Sequence, residues 1–257
     1  MYPFIHIFGK TIGTYGLCMV LAVIIVAVLG FIRGKKRGLG IEDVLIVGCT
    51  AVGMALICGG LLYIFVTYPI DVIIAQILDG SFGFLNGGIV FYGGLIGGVL
   101  GAFLGVRLAK CKFANIEYAL LPWIPLGHAI GRVGCVMAGC CHGRPYDGPF
   151  AIYYPHAVSG LSPTQGYFPV QPLESLMNLV ICGILLLLSK KLTRRFDLLM
   201  TYLGCYGIAR FVLEMFRGDA VRGIYFSLSL SQWISIGMLA ASAFWFLFLG
   251  KRVNKAQ

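Results

Sequence analysis

The stretch "TYGLCMVLAVIIVAVLGFIRGKKRG", Thr14–Gly38, decides the fold class. It holds nineteen residues without a charge, Thr14–Ile32, and then Arg33, Lys35, Lys36 and Arg37 within five positions. About 20 apolar residues are what a helix needs to cross a bilayer core. A cleavable signal would carry its charges before the apolar run, not after it. The segment therefore reads as a retained membrane anchor whose basic flank is a topology signal.

The same pattern recurs along the chain. Apolar runs follow at Val44–Tyr68, Gly87–Val106, Tyr118–Met137, Pro172–Leu188, Leu198–Phe216 and Ser231–Leu249. Hydrophobic residues make up 59% of the 257 and charged ones 12%, and mean hydropathy is +0.89. Soluble domains are roughly 25% charged, so this chain cannot cover itself with polar surface. The expected class is an all-α polytopic membrane protein of seven transmembrane helices. The whole chain, residues 1–257, reads as a single integral membrane domain. Its longest outward connection, about 138–171, reads as a small extracytoplasmic cap between the fourth and fifth spans, with a β-like run at Phe150–Pro155.

A net charge of +10 would fit nucleic acid, but its placement does not. Arg33, Lys35, Lys36 and Arg37 follow the first span, and Arg107, Lys110 and Lys112 the third. Lys190, Lys191, Arg194 and Arg195 follow the fifth, and Lys251, Arg252 and Lys255 the last. The alternate links carry Lys10, Arg144, Arg217 and Arg222. Fourteen against four is the asymmetry of the positive-inside rule. It predicts an outward N-terminus, a cytoplasmic C-terminus and no nucleic-acid partner.

Ionisable residues within spans are costly and mark function. Arg132 ends the fourth span. Arg210 and Glu214 are four apart in "YGIARFVLEMFR", Tyr206–Arg217, and Arg217 is three beyond Glu214. That spacing puts the three on one helix face. Glu174 begins the fifth span. Guanidinium groups grip phosphate with paired hydrogen bonds, and an anion at the lipid–water boundary is most simply a phospholipid headgroup. The competing reading is an Arg210–Glu214 ion pair that only neutralises itself, which leaves Arg132 and Arg217 without a purpose. The glycines of "GGIVFYGGLIGGVLGAFLG", Gly87–Gly105, are read as helix-packing positions.

"GRVGCVMAGCCHGR", Gly131–Arg144, resembles the signature of the prolipoprotein diacylglyceryl transferase family, G-R-x-G-N-x-x-N-x-E-x-x-G-R. "TYGL" at Thr14–Leu17, "FYGGLIG" at Phe91–Gly97, "PVQPLES" at Pro169–Ser175 and "YGIARFVLEMFR" extend the resemblance over almost the whole chain. The resemblance implies seven helices and an outward N-terminus in a bacterial cytoplasmic membrane. It implies transfer of a diacylglyceryl group from phosphatidylglycerol to the lipobox thiol of a secreted prolipoprotein, with release of glycerol 1-phosphate. It assigns headgroup binding and catalysis to Arg132 and Arg210. It makes Tyr15, Glu174, Gln171, Glu214 and Arg217 the matching partners at the site.

Several family positions are changed. Asn after R-x-G is Cys135, the second Asn is Ala138, and the signature glutamate is Cys140. The histidine of F-H-G-G is Tyr92, and that of H-P-S-Q-L-Y-E is Phe168. Cys135 and Cys140 are therefore expected on the acceptor side, Tyr92 beside the phosphate, and His142 as a titrating group next to the reaction. A related transferase with another acceptor, or a non-catalytic lipid-binding protein, remains an alternative.

Cys135, Cys140, Cys141 and His142 form C-x4-C-C-H. Three thiolates and an imidazole are a zinc-type donor set. Adjacent ligands are an awkward chelate, however, since zinc pairs usually leave two to four residues between them. A disulfide, a transient lipid carrier and packed free thiols are also open. Packing is the preferred reading, and no metal or cofactor is expected.

Overall fold

A computed structural model describes residues 2–249 apart from 8, 82–87, 89, 193 and 219–223. Arg222, Lys251, Arg252 and Lys255 lie outside the described residues. Nine α-helices are described: α1 Thr14–Gly34, α2 Ile41–Thr67, α3 Ile70–Leu78, α4 Phe91–Leu108, α5 Phe113–Leu120, α6 Ile124–Ala138, α7 Val170–Leu188, α8 Asp197–Glu214 and α9 Leu230–Phe244. Among the described residues, sheet is confined to two short antiparallel pairs, β1 Phe4–Ile7 with β2 Lys10–Gly13, and β3 Ile224–Tyr225 with β4 Leu228–Ser229.

Where it is described, each apolar run is largely helical. Among the described residues, five helical stretches are both long and apolar enough to cross a membrane: Thr14–Arg37, Ile41–Thr67, Phe113–Ala138, Val170–Leu188 and Leu230–Leu249. The third run is shorter as a helix, with Gly93–Leu108 as its apolar part. The sixth, α8, is absent from the five because Asp197, Arg210 and Glu214 lower its apolarity. The fourth run is broken at its prolines, while its polar residues His128 and Arg132 lie within continuous helix. α5 ends at Leu120, Leu121–Trp123 forms a 3-10 turn containing Pro122, and Pro125 sits in the first turn of α6. Proline is tolerated there because the first-turn N–H groups have no helical partner.

The chain divides into two compact units, residues 31–116 and the remainder. In the first, α2 and α4 pack along glycines spaced four apart. A Cβ at Gly97 would land on the Met54 carbonyl, and one at Gly101 on the Thr50 carbonyl. One at Gly105 would lie 2.7 Å from the Val47 Cα. Gly94 and Gly98 have room at ordinary contact distance. One stripe of α4 thus brings two backbones together, which is how small residues serve membrane helices.

In the second unit, α6, α7, α8 and α9 pack in sequence order, around Leu121, Ile181, Leu185 and Leu198. The Glu117 carboxylate accepts from the backbone N–H groups of Phe196 at 2.8 Å and Leu199 at 2.9 Å. It caps the start of α8, where an anion is favoured. Trp245 Nε1 donates to Asp197 Oδ1 at 2.8 Å, holding the far end of α9 to the same place. Gly134 lets α6 approach α1: its Cβ would lie 3.0 Å from Cys18 Cβ and 3.3 Å from Tyr15 Cα.

The connection between α6 and α7 is held by sparse pairing. The expected strand at Phe150–Pro155 contributes only the bridge Ile152–Tyr167. Phe150, at φ 70°, interrupts the extended backbone a strand would need. Gly143 bridges to Arg217, and Arg144 N donates to Phe216 O at 3.0 Å. These contacts bring the segment after α6 against the end of α8.

Candidate functional site

Three helices present the charged residues to one another. Arg132, on the last turns of α6, places Nη2 2.9 Å from Glu174 Oε1 in the first turns of α7. His128, one helical turn before Arg132, has Nε2 3.5 Å from the same oxygen. From α8, Arg210 Nη2 meets Glu214 Oε2 at 2.5 Å. Arg217 lies between the two acids, 3.9 Å from Glu174 Oε2 and 4.0 Å from Glu214 Oε2. Side-chain exposures of 15% for Arg132, 8% for Arg210 and 3% for Arg217 put the guanidinium groups in a low-dielectric setting.

Polar neighbours fix this network. Ser229, the N-cap of α9, accepts from Gln232 N at 3.2 Å and donates its hydroxyl to Glu214 Oε1 at 3.0 Å. Arg210 Nη2 donates to Ser231 Oγ at 3.1 Å. Asn178 Nδ2 donates to the Glu174 carbonyl at 2.8 Å, and Ser175 Oγ to the Ala129 carbonyl at 3.0 Å, tying α7 to itself and to α6. The Arg210–Glu214 pair expected as the bland alternative therefore exists, but inside a larger constellation.

Three guanidinium groups against two carboxylates leave one positive charge. Arg132 Nε and Arg210 Nη1 are buried and have no hydrogen-bond partner among the described residues. Buried donors are rarely left so, because each costs about 1–3 kcal/mol. Oxygens of Glu174, Glu214 and Asn178 are buried without a hydrogen bond as well, so it is the one excess positive charge, with these guanidinium donors beside it, that fits a monoanion such as a phosphodiester.

Next to Arg132 stands the thiol turn. α6 ends in a Schellman motif: Gly139 N donates to Val136 O and Cys140 N to Cys135 O, with Gly139 at φ 70°. That motif brings the residue after the glycine back over the helix end, so Cys140 meets Cys135. Cys141, at φ 57°, repeats the reversal without being glycine, a conformation that is uncommon for such residues. The three sulfurs lie within 4.8 Å of one another. Arg132 Nη1 is 3.9 Å from Cys135 Sγ.

Gln171 supports the turn. It is fully buried, accepts from the Tyr154 hydroxyl at 3.0 Å and donates to the Cys140 carbonyl at 2.9 Å. Both ends of its amide are engaged within the chain, so it positions Cys140. Burial pushes the Tyr154 phenol up to about 12, which keeps it the donor in this bond. His142 stands apart from the ionic network. Its Nδ1 is 2.8 Å from Gly143 O and its ring packs on Tyr167. It is not grouped with the three sulfurs. Tyr15, half exposed on α1, lies beside Gly134. Tyr92 falls in the other unit, and its side chain lies outside the described residues.

The structure thus unites Arg132, Arg210, Glu174, Glu214 and Arg217, and sets Cys135 and Cys140 next to Arg132. Sequence reasoning passed over His128, Asn178, Tyr206 and Ser231. Three of them had a signal. His128, Asn178 and Tyr206 lie four residues from Arg132, Glu174 and Arg210 respectively, the spacing of one helix face. The ring of Tyr206 is 5.5 Å from that of His128.

The family described as prolipoprotein diacylglyceryl transferase matches residues 3–248. A phosphatidylglycerol–prolipoprotein diacylglyceryl transferase of Clostridium tetani is 30% identical over 246 residues, covering 94% of each chain. A protein of Clostridium perfringens, named as the second such transferase there, is 30% identical over 91% of this chain and 90% of its own. One of Clostridioides difficile is 29% identical over 84% of this chain and 82% of its own.

Proposed function

The chain belongs to the prolipoprotein diacylglyceryl transferase family, and from that premise we propose how its site works. The protein is a multi-pass membrane enzyme of lipoprotein maturation. It takes a diacylglyceryl group from phosphatidylglycerol and joins it to the lipobox cysteine of a prolipoprotein. The observation that carries the mechanism is the buried ionic network with one excess positive charge and two unused guanidinium N–H groups.

In this reading Arg132 and Arg210 hold the headgroup phosphate. Glu174 and Glu214 hold the arginines in place, and Arg217 joins the two acids. The acceptor sulfur, as thiolate, attacks the glyceryl carbon that carries the phosphate oxygen. The S–C bond forms as the C–O bond breaks, and the electron pair leaves on the phosphate. A monoanionic diester becomes a dianionic monoester, so negative charge grows where the guanidinium groups stand. Donors fixed on developing charge lower a barrier in this way. Glu214, bound by two arginines and Ser229, is a positioning group and not a base.

The outward face of the membrane is assigned to the site by the distribution of basic residues. Seven spans, an outward N-terminus, a cytoplasmic C-terminus and a cap over residues 138–171 follow from the same reading, with the whole chain acting as one membrane domain. Cys135, Ala138 and Cys140 stand where the resembled signature has Asn, Asn and Glu, and these changes favour one second reading, a related transferase with another acceptor.

Complementation separates the two. The chain, expressed in a bacterium depleted of its own diacylglyceryl transferase, should restore growth and lipid-modified lipoproteins. Abundant, membrane-inserted protein without rescue would transfer the proposal to the second acceptor reading.

A further inference from the structure

We propose that Cys135, Cys140 and Cys141 bind a zinc ion whose fourth position is taken by the acceptor thiol during transfer. The inference deepens the acceptor side of the function proposed above and rests on that reading.

Three thiol sulfurs already converge to within 4.8 Å of one another. Zinc–thiolate bonds of about 2.3 Å in a tetrahedron place sulfurs roughly 3.8 Å apart. Each sulfur therefore has to move by about half an ångström. The objection to adjacent ligands is answered by the backbone. The Schellman turn at Gly139 returns Cys140 to Cys135, and the left-handed Cys141 turns its side chain back as well. The Cys140 carbonyl is held by Gln171, itself held by Tyr154. A turn of free packing thiols has no need of a strained non-glycine residue braced by a fully buried amide. A metal site does, because its ligands must be oriented by their neighbours.

The donor set also has the right number. Structural zinc sites are closed by four protein ligands, whereas catalytic ones keep three and leave a position open. His142, the only fourth ligand the local sequence offers, lies outside the sulfur cluster and points Nδ1 at Gly143 O. Cys135 is buried, while Cys140 and Cys141 are half-buried, which leaves one side of the cluster approachable. Arg132, 3.9 Å from Cys135 Sγ, sets the cluster beside the headgroup site.

The reaction gives this site a task. A free cysteine is mostly protonated at neutral pH, and only its thiolate attacks carbon. A thiol bound to zinc is deprotonated outright. The peptide R–SH binds the open position and its proton goes to water. The bound sulfur attacks the glyceryl carbon, C–S forms, C–O breaks, and the phosphate monoester leaves. The product is a neutral thioether, a poor zinc ligand, so it departs and the ion stays with its three cysteines. No electron is gained or lost.

The test uses full-length protein purified in detergent without chelators. It should hold, or take up on titration with zinc chloride, one zinc per chain. Zinc X-ray absorption should report three sulfur neighbours. A lipobox peptide should raise the number to four, and its Cys-to-Ser analogue should not. Cys135→Ser, Cys140→Ser and Cys141→Ser should each weaken zinc binding by at least about tenfold, while Cys111→Ser should not. In the unaltered protein, zinc should protect these three thiols from maleimide, read by peptide mass mapping, whether or not the variants fold. Failure to bind zinc, unprotected thiols, or a sulfur count unchanged by the peptide overturns the site or its role. Full transfer rate by metal-free protein overturns its role while leaving the transferase reading intact. Zinc bound through the three thiols with no transfer from phosphatidylglycerol leaves the metal site and removes the reading on which its role rests.

Discussion

Arg132 on α6 and Glu174 on α7 meet at 2.9 Å, and Glu174 is 1% exposed. This contact joins the two helices at the level of the ionic network and aims a guanidinium group whose Nε is left without a partner. Glu174 also faces Arg217 and His128. One buried carboxylate on α7 thus orients groups from α6 and from the segment just after α8.

Replacing that carboxylate should therefore damage the fold before it damages chemistry. Breaking a buried pair from one side costs about 3–5 kcal/mol, because the other charge stays buried. Glu174→Ala should lower the unfolding temperature in detergent by several degrees and reduce the yield of monodisperse protein. Glu174→Gln, which keeps the shape, should fall between. Unchanged thermal unfolding for Glu174→Ala would show that the network is not structural.

The arginines should behave in the opposite way. Lysine keeps the charge of Arg132 and Arg210 but not the planar fork. Arg132→Lys and Arg210→Lys should each reduce transfer by about a hundredfold, the scale of losing a fixed donor on developing charge, with the protein still folded in the membrane. Labelled phosphatidylglycerol gives the rate and thermal unfolding gives the control. Full activity in both variants would remove the headgroup site, and loss of folding in both would leave a purely structural ion pair.

Between α2 and α4 the test is steric. Gly97→Leu must push Met54 backbone away, since even a Cβ collides there, whereas Gly94→Ala meets only ordinary contacts. Overpacking of this kind costs about 1–3 kcal/mol or more. Gly97→Leu should abolish the yield of monodisperse protein and Gly94→Ala should leave it near the original. Equal yields would contradict the glycine-mediated contact.

Topology is open to reporter fusions. Fusions at Lys36, Lys110 and Lys191 should all read cytoplasmic, and one after Tyr154 should read external, because the basic residues divide unequally between alternate links. A cytoplasmic reading at Tyr154 would overturn both the span count and the side assigned to the site.

Much of this was legible in the sequence, for identifiable reasons. Uncharged runs of helical length announce α1 and α2 directly. The i, i+4 and i+3 spacing of Arg210, Glu214 and Arg217 places them together without any fold. What was hidden depends on contacts distant in the chain. Gln171 reads as a ligand-binding amide until Tyr154 and the Cys140 carbonyl are seen to occupy it. His128 has no sign of a role but its four-residue spacing from Arg132 until Glu174 is seen beside it. Phe150–Pro155 has strand composition, but composition does not reveal the left-handed Phe150. The glycine register was only half legible: a Cβ at Gly97 or Gly101 would collide with the α2 backbone, while one at Gly94 would meet Ala55 O at 3.6 Å. The convergence of the three cysteine sulfurs was hidden too, because a left-handed Cys141 cannot be read from residue types.

The central claim is that Arg132, Arg210 and the acids that hold them serve diacylglyceryl transfer to a thiol. The most direct measurement incubates purified protein with phosphatidylglycerol and a lipobox peptide, and follows the peptide by mass spectrometry. The account predicts one diacylglyceryl group on the peptide's cysteine through a thioether, with glycerol phosphate released in equal amount. Phosphatidylglycerol bound or hydrolysed while the peptide's cysteine stays free would contradict it.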